Sequence, residues 1–182
     1  MNIVLLKHGD KYSAEDVNRQ AQSIIEASKG IMGQVYCFTE DRTGVDIQCI
    51  DIPEKPKLRK WWNKMHLFRD NFPLTGKCVL FDLDVEIKDD PFKYIIDIDF
   101  STPTFMRDYW KEKLHHKKHA YDTELNSSVL AWTAGKDTYV WDLFSRNIDY
   151  NTRKYAGIDR FFWNEDIKWN TFNDGIHESV II

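Results

Sequence analysis

Two aspartates two residues apart, Asp82 and Asp84, follow the apolar run Cys78-Val79-Leu80-Phe81 and precede Val85-Glu86-Ile87. Carboxylates at this spacing can do particular chemistry. Two of them in one site repel unless a proton or a cation lies between them. Hard divalent ions such as Mg²⁺ and Mn²⁺ take oxygen ligands, commonly one or two carboxylates completed by substrate phosphates. An apolar run with Val, Leu and Phe, entered through Thr75-Gly76, predicts a buried strand over Cys78–Ile87. Residues i and i+2 of a strand share a face, which would set the two carboxylates side by side. Open α/β sheets bind ligands beyond the carboxyl ends of their strands. The plainer alternative is a pair of solvated or capping acids after a strand.

The elements that would position this pair alternate in type. Asn2–Lys7 reads as a strand ending at the turn His8-Gly9-Asp10. Ser13, with Asp16 three residues on, reads as the N-cap of a helix whose apolar residues are Val17, Ala21, Ile24 and Ile25. Gln34–Phe38 and part of Val45–Ile52 read as strands, the latter closed by Pro53 and Pro56. Lys60–Phe72 carries Trp61, Met65, Phe68 and Phe72 at helical spacing. Leu125–Trp132 reads as a strand, Asp137–Asn147 as a helix and Arg160–Asn164 as a helical turn, while the polar segment Trp110–Tyr121 reads as surface. Strands alternating with helices imply βαβ units and a mostly parallel, doubly wound sheet in one domain spanning 1–182.

Composition narrows the class. The 182 residues suffice for a substantial core. The chain is 42% hydrophobic and 30% charged, as in a soluble globular protein. Its net charge of −4 lacks the basic footprint of a nucleic-acid binder. Aromatics reach 14%, with seven Trp, enough for stacking surfaces as well as core. Cys37, Cys49 and Cys78 are odd in number and widely separated, which points to reduced thiols and a cytoplasmic setting. No apolar run reaches the length of a membrane span, and exposed Trp would permit a homodimer.

Several segments taken in order resemble GT-A fold glycosyltransferases, in particular compact bacterial and phage enzymes related to the glycogenin and lipopolysaccharide galactosyltransferase group. The segments are Lys7 to Ser13, Trp61 to Phe68, Cys78 to Ile87 with its Asp-x-Asp, Asn126 to Leu130, and Ile158 to Phe162. The resemblance implies a minimal α/β, Rossmann-like nucleotide-diphospho-sugar transferase fold. It also implies transfer of a sugar from a UDP-sugar to an acceptor (saccharide, lipid or protein), dependent on Mn²⁺ or Mg²⁺. Asp82 and Asp84 would hold the metal, with Asp82 also near the ribose and His177 as a third ligand. Tyr12 would stack on the base with His8 and Asp10 beside it, and Lys64 would meet the diphosphate. Asn126 would bind the donor sugar, and Asp159 would act as catalytic base or sugar-binding carboxylate. Arg160 departs from the family's Asp-Gln pair and leaves the stereochemical outcome open.

Two other readings use the same residues. Val-Leu-Phe-Asp-Leu-Asp also resembles the first motif of haloacid-dehalogenase-type phosphatases, but Glu86 and Val85 occupy places where that family has other residues, and the motif follows about eighty residues of α/β pattern. A catalytically inactive nucleotide-sugar-binding module is the other alternative. The basic cluster His115–His119 lacks the partner spacing of a closed zinc site and reads as surface.

Overall fold

The computed structural model describes residues 1–30, 33–108 and 123–182. The segment Trp110–Tyr121 with its histidine cluster lies outside the described residues.

The chain opens with strand β1 (Asn2–Lys7), helix α1 (Ala14–Ser28) and strand β2 (Val35–Thr39). Helix α1 starts where the sequence predicts. The Ser13 side chain accepts from the Asp16 amide, and the Asp16 carboxylate accepts from the Ser13 backbone, closing a capping box. A shorter third strand, β3 (Gln48–Asp51), replaces the predicted Val45–Ile52. Then come β4 (Gly76–Phe81) and β5 (Glu86–Ile87), followed by β6 (Thr104–Arg107), β7 (Leu125–Ala134), β8 (Asn170–Thr171) and β9 (Val180–Ile181). Among the described residues, the further α-helices are α2 (Tyr139–Ser145), α3 (Ile148–Lys154), α4 (Ile158–Asn164) and α5 (Ile176–Ser179).

Seven strands form one sheet in the order β3-β2-β1-β4-β7-β6-β8, and β5 pairs with β9. The pairs β3/β2, β2/β1, β1/β4 and β6/β8 are parallel, whereas β7 runs antiparallel to both β4 and β6. The sheet is therefore mostly parallel, with one reversed strand. Both faces are covered. Along β1, Ile3 and Leu5 join the layer built on α1, while Val4 and Leu6 join the layer of Trp62, Met65, Phe144 and Phe161. Burial on both faces explains why β1 and β4 read as unbroken apolar runs.

Two predicted elements change form. The stretch Cys78–Ile87 is not one strand. It is β4, a turn at 82–85 and the short β5, so Asp82 and Asp84 leave the sheet rather than standing side by side on it. The helix expected over Lys60–Phe72 is a nine-residue 3-10 helix, Lys60–Phe68. With three residues per turn, side chains three apart eclipse. Trp62, Met65 and Phe68 thus stack into the core, and Trp61, Lys64 and Leu67 form the adjacent row. Trp61, which α-helical spacing would have buried, is 45% exposed, and Trp62 is buried in its place.

Candidate active site

In the strand order β2-β1-β4 the chain winds outward to β2 from β1, then returns to place β4 on the other side of β1. Loops leaving β1 and β4 diverge at such a switch point, opening a crevice between them. Residues 8–13 leave β1 there, and the turn 82–85 leaves β4.

That turn is held on three sides. The Asp82 amide donates to Ser128 O at 2.8 Å, extending the β4/β7 ladder one step past the strand. Val85 N donates back to Asp82 O at 3.2 Å. The buried Gln20 side chain, reaching over from α1, donates to Val85 O at 2.7 Å.

Each aspartate meets an ammonium group. Lys64 Nζ, almost fully buried, donates to Asp82 Oδ2 at 2.7 Å, to Ser127 O at 2.9 Å and to Ser127 Oγ at 3.1 Å. Lys11 Nζ lies 3.2 Å from Asp84 Oδ2, and Tyr12 OH donates to the same oxygen at 2.8 Å. The two carboxyls consequently titrate in opposite directions. Desolvation pushes Asp82 above the usual carboxylate range, against the pull of Lys64 and a hydrogen bond from Ser128. At Asp84 desolvation also acts upward, but the hydrogen bonds from Tyr12 and Lys11 together outweigh it and hold the group low. Burial lowers His8, with Glu40 opposing, so its imidazole is neutral near pH 7.

A cavity of about 400 Å³ lies over these groups, lined by His8, Tyr12, Trp61, Lys64, Asp82 and Asp84 among others. Beyond His8 and Lys60 a second cavity of about 640 Å³ continues toward Glu40 and Asn63. Five residues singled out in the sequence, His8, Tyr12, Lys64, Asp82 and Asp84, therefore converge on one space. Asp10, Asn126 and Asp159 are not among its lining residues. Asp10 is exposed in the turn after β1. Asn126 sits at a β-bulge where the β6/β7 register shifts, and its Oδ1 accepts from Ser128 N at 2.7 Å. Asp159 lies in the first turn of α4. The residue capping that helix, Gly157, packs against Trp61: a Cβ there would stand 3.3 Å from the indole nitrogen.

His177 lies in α5, with Asp174, the Arg107 backbone and Asp108 as its electrostatic neighbours; burial lowers its pKa. Among the described residues no three His, Cys, Asp or Glu side chains are grouped to hold a metal ion. The geometry thus leaves His177 out of a set with Asp82 and Asp84. The two aspartates still suit Mg²⁺ or Mn²⁺. They supply hard oxygen donors from one turn, and substrate phosphates or water would complete the shell once the Lys11 ammonium gives way at Asp84.

Sequence reasoning missed four residues that shape this site. Gln20 pins the turn, Ser127 and Ser128 anchor Lys64 and Asp82, and Asp108 is buried at the end of β6, close to the bulge at Asn126. One signal was available: Asn126-Ser127-Ser128 is a polar interruption in an otherwise apolar strand.

The sheet order, the switch-point crevice and the reversed β7 match the GT-A fold, a Rossmann-like α/β architecture. No protein-family model matches the chain, and no curated protein matches it. Solved structures do. The galactosyltransferase LgtC, crystallised with donor and acceptor sugar analogs, superposes with a TM-score of 0.64 at 17% identity, over 94% of this chain and 73% of that one. An active-site mutant of LgtC gives 0.65 at 16% identity, covering 94% and 72%. The glycosyltransferase GlyE of Streptococcus pneumoniae TIGR4 gives 0.62 at 11% identity, with 94% of this chain matching 45% of that one. At these identities the likeness establishes the fold.

Proposed function

We propose that the chain is a single-domain glycosyltransferase that transfers a sugar from a nucleotide-diphosphate sugar, a UDP-sugar, to an acceptor hydroxyl. The observation that carries this reading is the convergence of Asp82, Asp84, Lys64 and Tyr12 on one cavity at the switch point of a GT-A sheet. In this reading the Tyr12 ring stacks on the base. Lys60 and Lys64 line the diphosphate side of the cavity, and Lys64 also fixes the orientation of Asp82.

Asp82 and Asp84 would hold Mn²⁺ or Mg²⁺, which when bound supplies Lewis-acid stabilisation to the departing diphosphate. An acceptor hydroxyl oxygen bonds to the anomeric carbon, and the anomeric carbon–oxygen bond breaks with its electron pair left on UDP. Asp159 takes up the hydroxyl proton, while Asn126 and the bulge around it face the donor sugar. Among the described residues no helix is long and apolar enough to cross a membrane, and the reduced cysteines agree with a cytoplasmic site of action.

The test is release of UDP from a panel of UDP-sugars in the presence of Mn²⁺, measured on the wild type and on Asp159→Asn. Slow metal-dependent release, reduced at least tenfold in Asp159→Asn with UDP affinity kept, supports the assignment. Phosphate release from a sugar phosphate without any nucleotide would replace it with the phosphatase reading. UDP binding with no release from any sugar would leave an inactive binding module.

A further inference from the structure

Beside the aspartate cavity runs a groove of about 490 Å³ between the Lys57–Trp62 segment and α3. Trp61 and Lys60 line both spaces. Trp61 is half-exposed, and the nitrogen edge of its indole packs against Gly157, two residues before Asp159. A molecule lying in the groove would therefore bring one end to the Asp82/Asp84 cavity and to the start of α4 at once.

The wall between the two spaces is unusual in backbone as well as in exposure. Lys60 is a non-glycine residue at φ 54°, a left-handed conformation that costs free energy and persists where surrounding structure imposes it, often at ligand sites. Its Nζ sits 5.3 Å from the Trp61 ring centroid, so the indole is presented together with a positive charge. Lys57 and Arg59 add two more exposed cations on the same wall. Across the groove, α3 contributes Asp149 and Thr152. Asp149 has its own counter-ion, Arg153 at 3.9 Å, so the groove as a whole is positive.

We propose that this groove is the acceptor site and that the acceptor is a saccharide bearing an anionic group. Its terminal ring lies on the face of Trp61, next to the Gly157 entry to α4, and its negative charge faces Lys57 and Arg59. This assignment rests on the transferase reading above and names the substrate class that reading leaves open. A flat aromatic face suits the apolar side of a pyranose ring, and exposed ammonium and guanidinium groups suit a carboxylate or a phosphate.

The experiment titrates the full chain, loaded with UDP and Mn²⁺, with three probes: methyl β-glucoside, methyl β-glucuronide and glucose 6-phosphate. Indole fluorescence and calorimetry are the readouts. The charged probes should bind at least tenfold more tightly than the neutral one at low salt, and the gap should narrow in 0.5 M NaCl because exposed charges are screened. Whichever charged probe binds more tightly identifies the anion as carboxylate or phosphate. Thr152→Trp, which fills the groove from the α3 side, should abolish saccharide binding and leave UDP binding unchanged. The double variant Lys57→Ala/Arg59→Ala should erase the preference for charge alone.

Intact UDP binding with no saccharide bound overturns the acceptor assignment and leaves the transferase reading standing. So does equal binding of the neutral and charged probes, or unaltered binding in both variants. Failure of the unmodified chain to bind UDP would remove the transferase reading and the acceptor assignment with it.

Discussion

Tyr12 does two things at once. Its ring lines the cavity, and its hydroxyl is spent on Asp84 Oδ2 at 2.8 Å. Splitting the two roles is a matter of one atom. Tyr12→Phe keeps the ring and should bind UDP within a few-fold of wild type. Tyr12→Ala should weaken UDP by about 1–3 kcal/mol, roughly 5- to 150-fold, the range measured when a base loses an aromatic partner. Calorimetric titration of both variants checks this, and equal affinities in Phe and Ala variants would remove Tyr12 from the base site. Lys64 illustrates a different point. Lysine is by default a solvated residue, and nothing in its local sequence shows that it is buried. Only the fold reveals that it reaches Asp82 and the Ser127 carbonyl. Its burial is tolerated because three acceptors satisfy its ammonium group.

At the scale of elements, the loops matter more than the strands. The turn at 82–85 and the Gly157 entry to α4 fix where carboxylates point. Gly157 has φ 144°, which side-chain-bearing residues rarely adopt, and an added Cβ would press on the Trp61 indole. Gly157→Ala should cost about 1–3 kcal/mol from the backbone alone and shift the Trp emission as Trp61 is displaced. Denaturant melts with emission spectra read both, and an unchanged spectrum would mean that Trp61 does not rest on this helix entry. The regular elements with local signals were legible in the sequence. β1 was read from its apolar run with its observed bounds, and α1 was read from Ser13 and its capping partner. The short pieces β6, β8 and β9 were not, because two to four residues carry no period. The form of Lys60–Phe68 was missed for a related reason. Its apolar residues fit a period of three as well as one of 3.6, and tertiary burial chose the tighter helix.

At the scale of the molecule, the layer that supports the site also carries a pH-sensitive group. His66 is fully buried on the 3-10 helix that bears Lys64, stacked on Trp141 at 5.2 Å and edge-on to Phe38 at 6.4 Å. Desolvation, with Arg69 adding repulsion, lowers its pKa to about 4. A histidine whose folded pKa lies below its unfolded value binds its proton more readily when unfolded. Its effect on stability is therefore absent above about pH 6.5. It then subtracts progressively as pH falls, reaching roughly 3 kcal/mol near pH 4. Urea unfolding of wild type and His66→Phe at pH 7.5 and 5 should show the wild type losing more stability on acidification. Parallel losses in the two proteins would show that His66 is not the group responsible.

The candidate site was legible in outline, because the Asp-x-Asp and the post-β1 loop each carry a local pattern, whereas Lys64 entered only through the resemblance. The placement of His177 was not. Its neighbours are brought by the packing of α5 near β6, which no spacing in the sequence encodes. The central claim is that Asp82 and Asp84 bind a divalent cation together with a nucleoside diphosphate. Calorimetric titration of UDP into the chain, with and without Mn²⁺ and in wild type and Asp84→Ala, tests it most directly. The expected result is UDP binding that strengthens at least tenfold with Mn²⁺ in the wild type and loses that enhancement in Asp84→Ala. Affinity for UDP indifferent to Mn²⁺, or an enhancement that survives in Asp84→Ala, would contradict it.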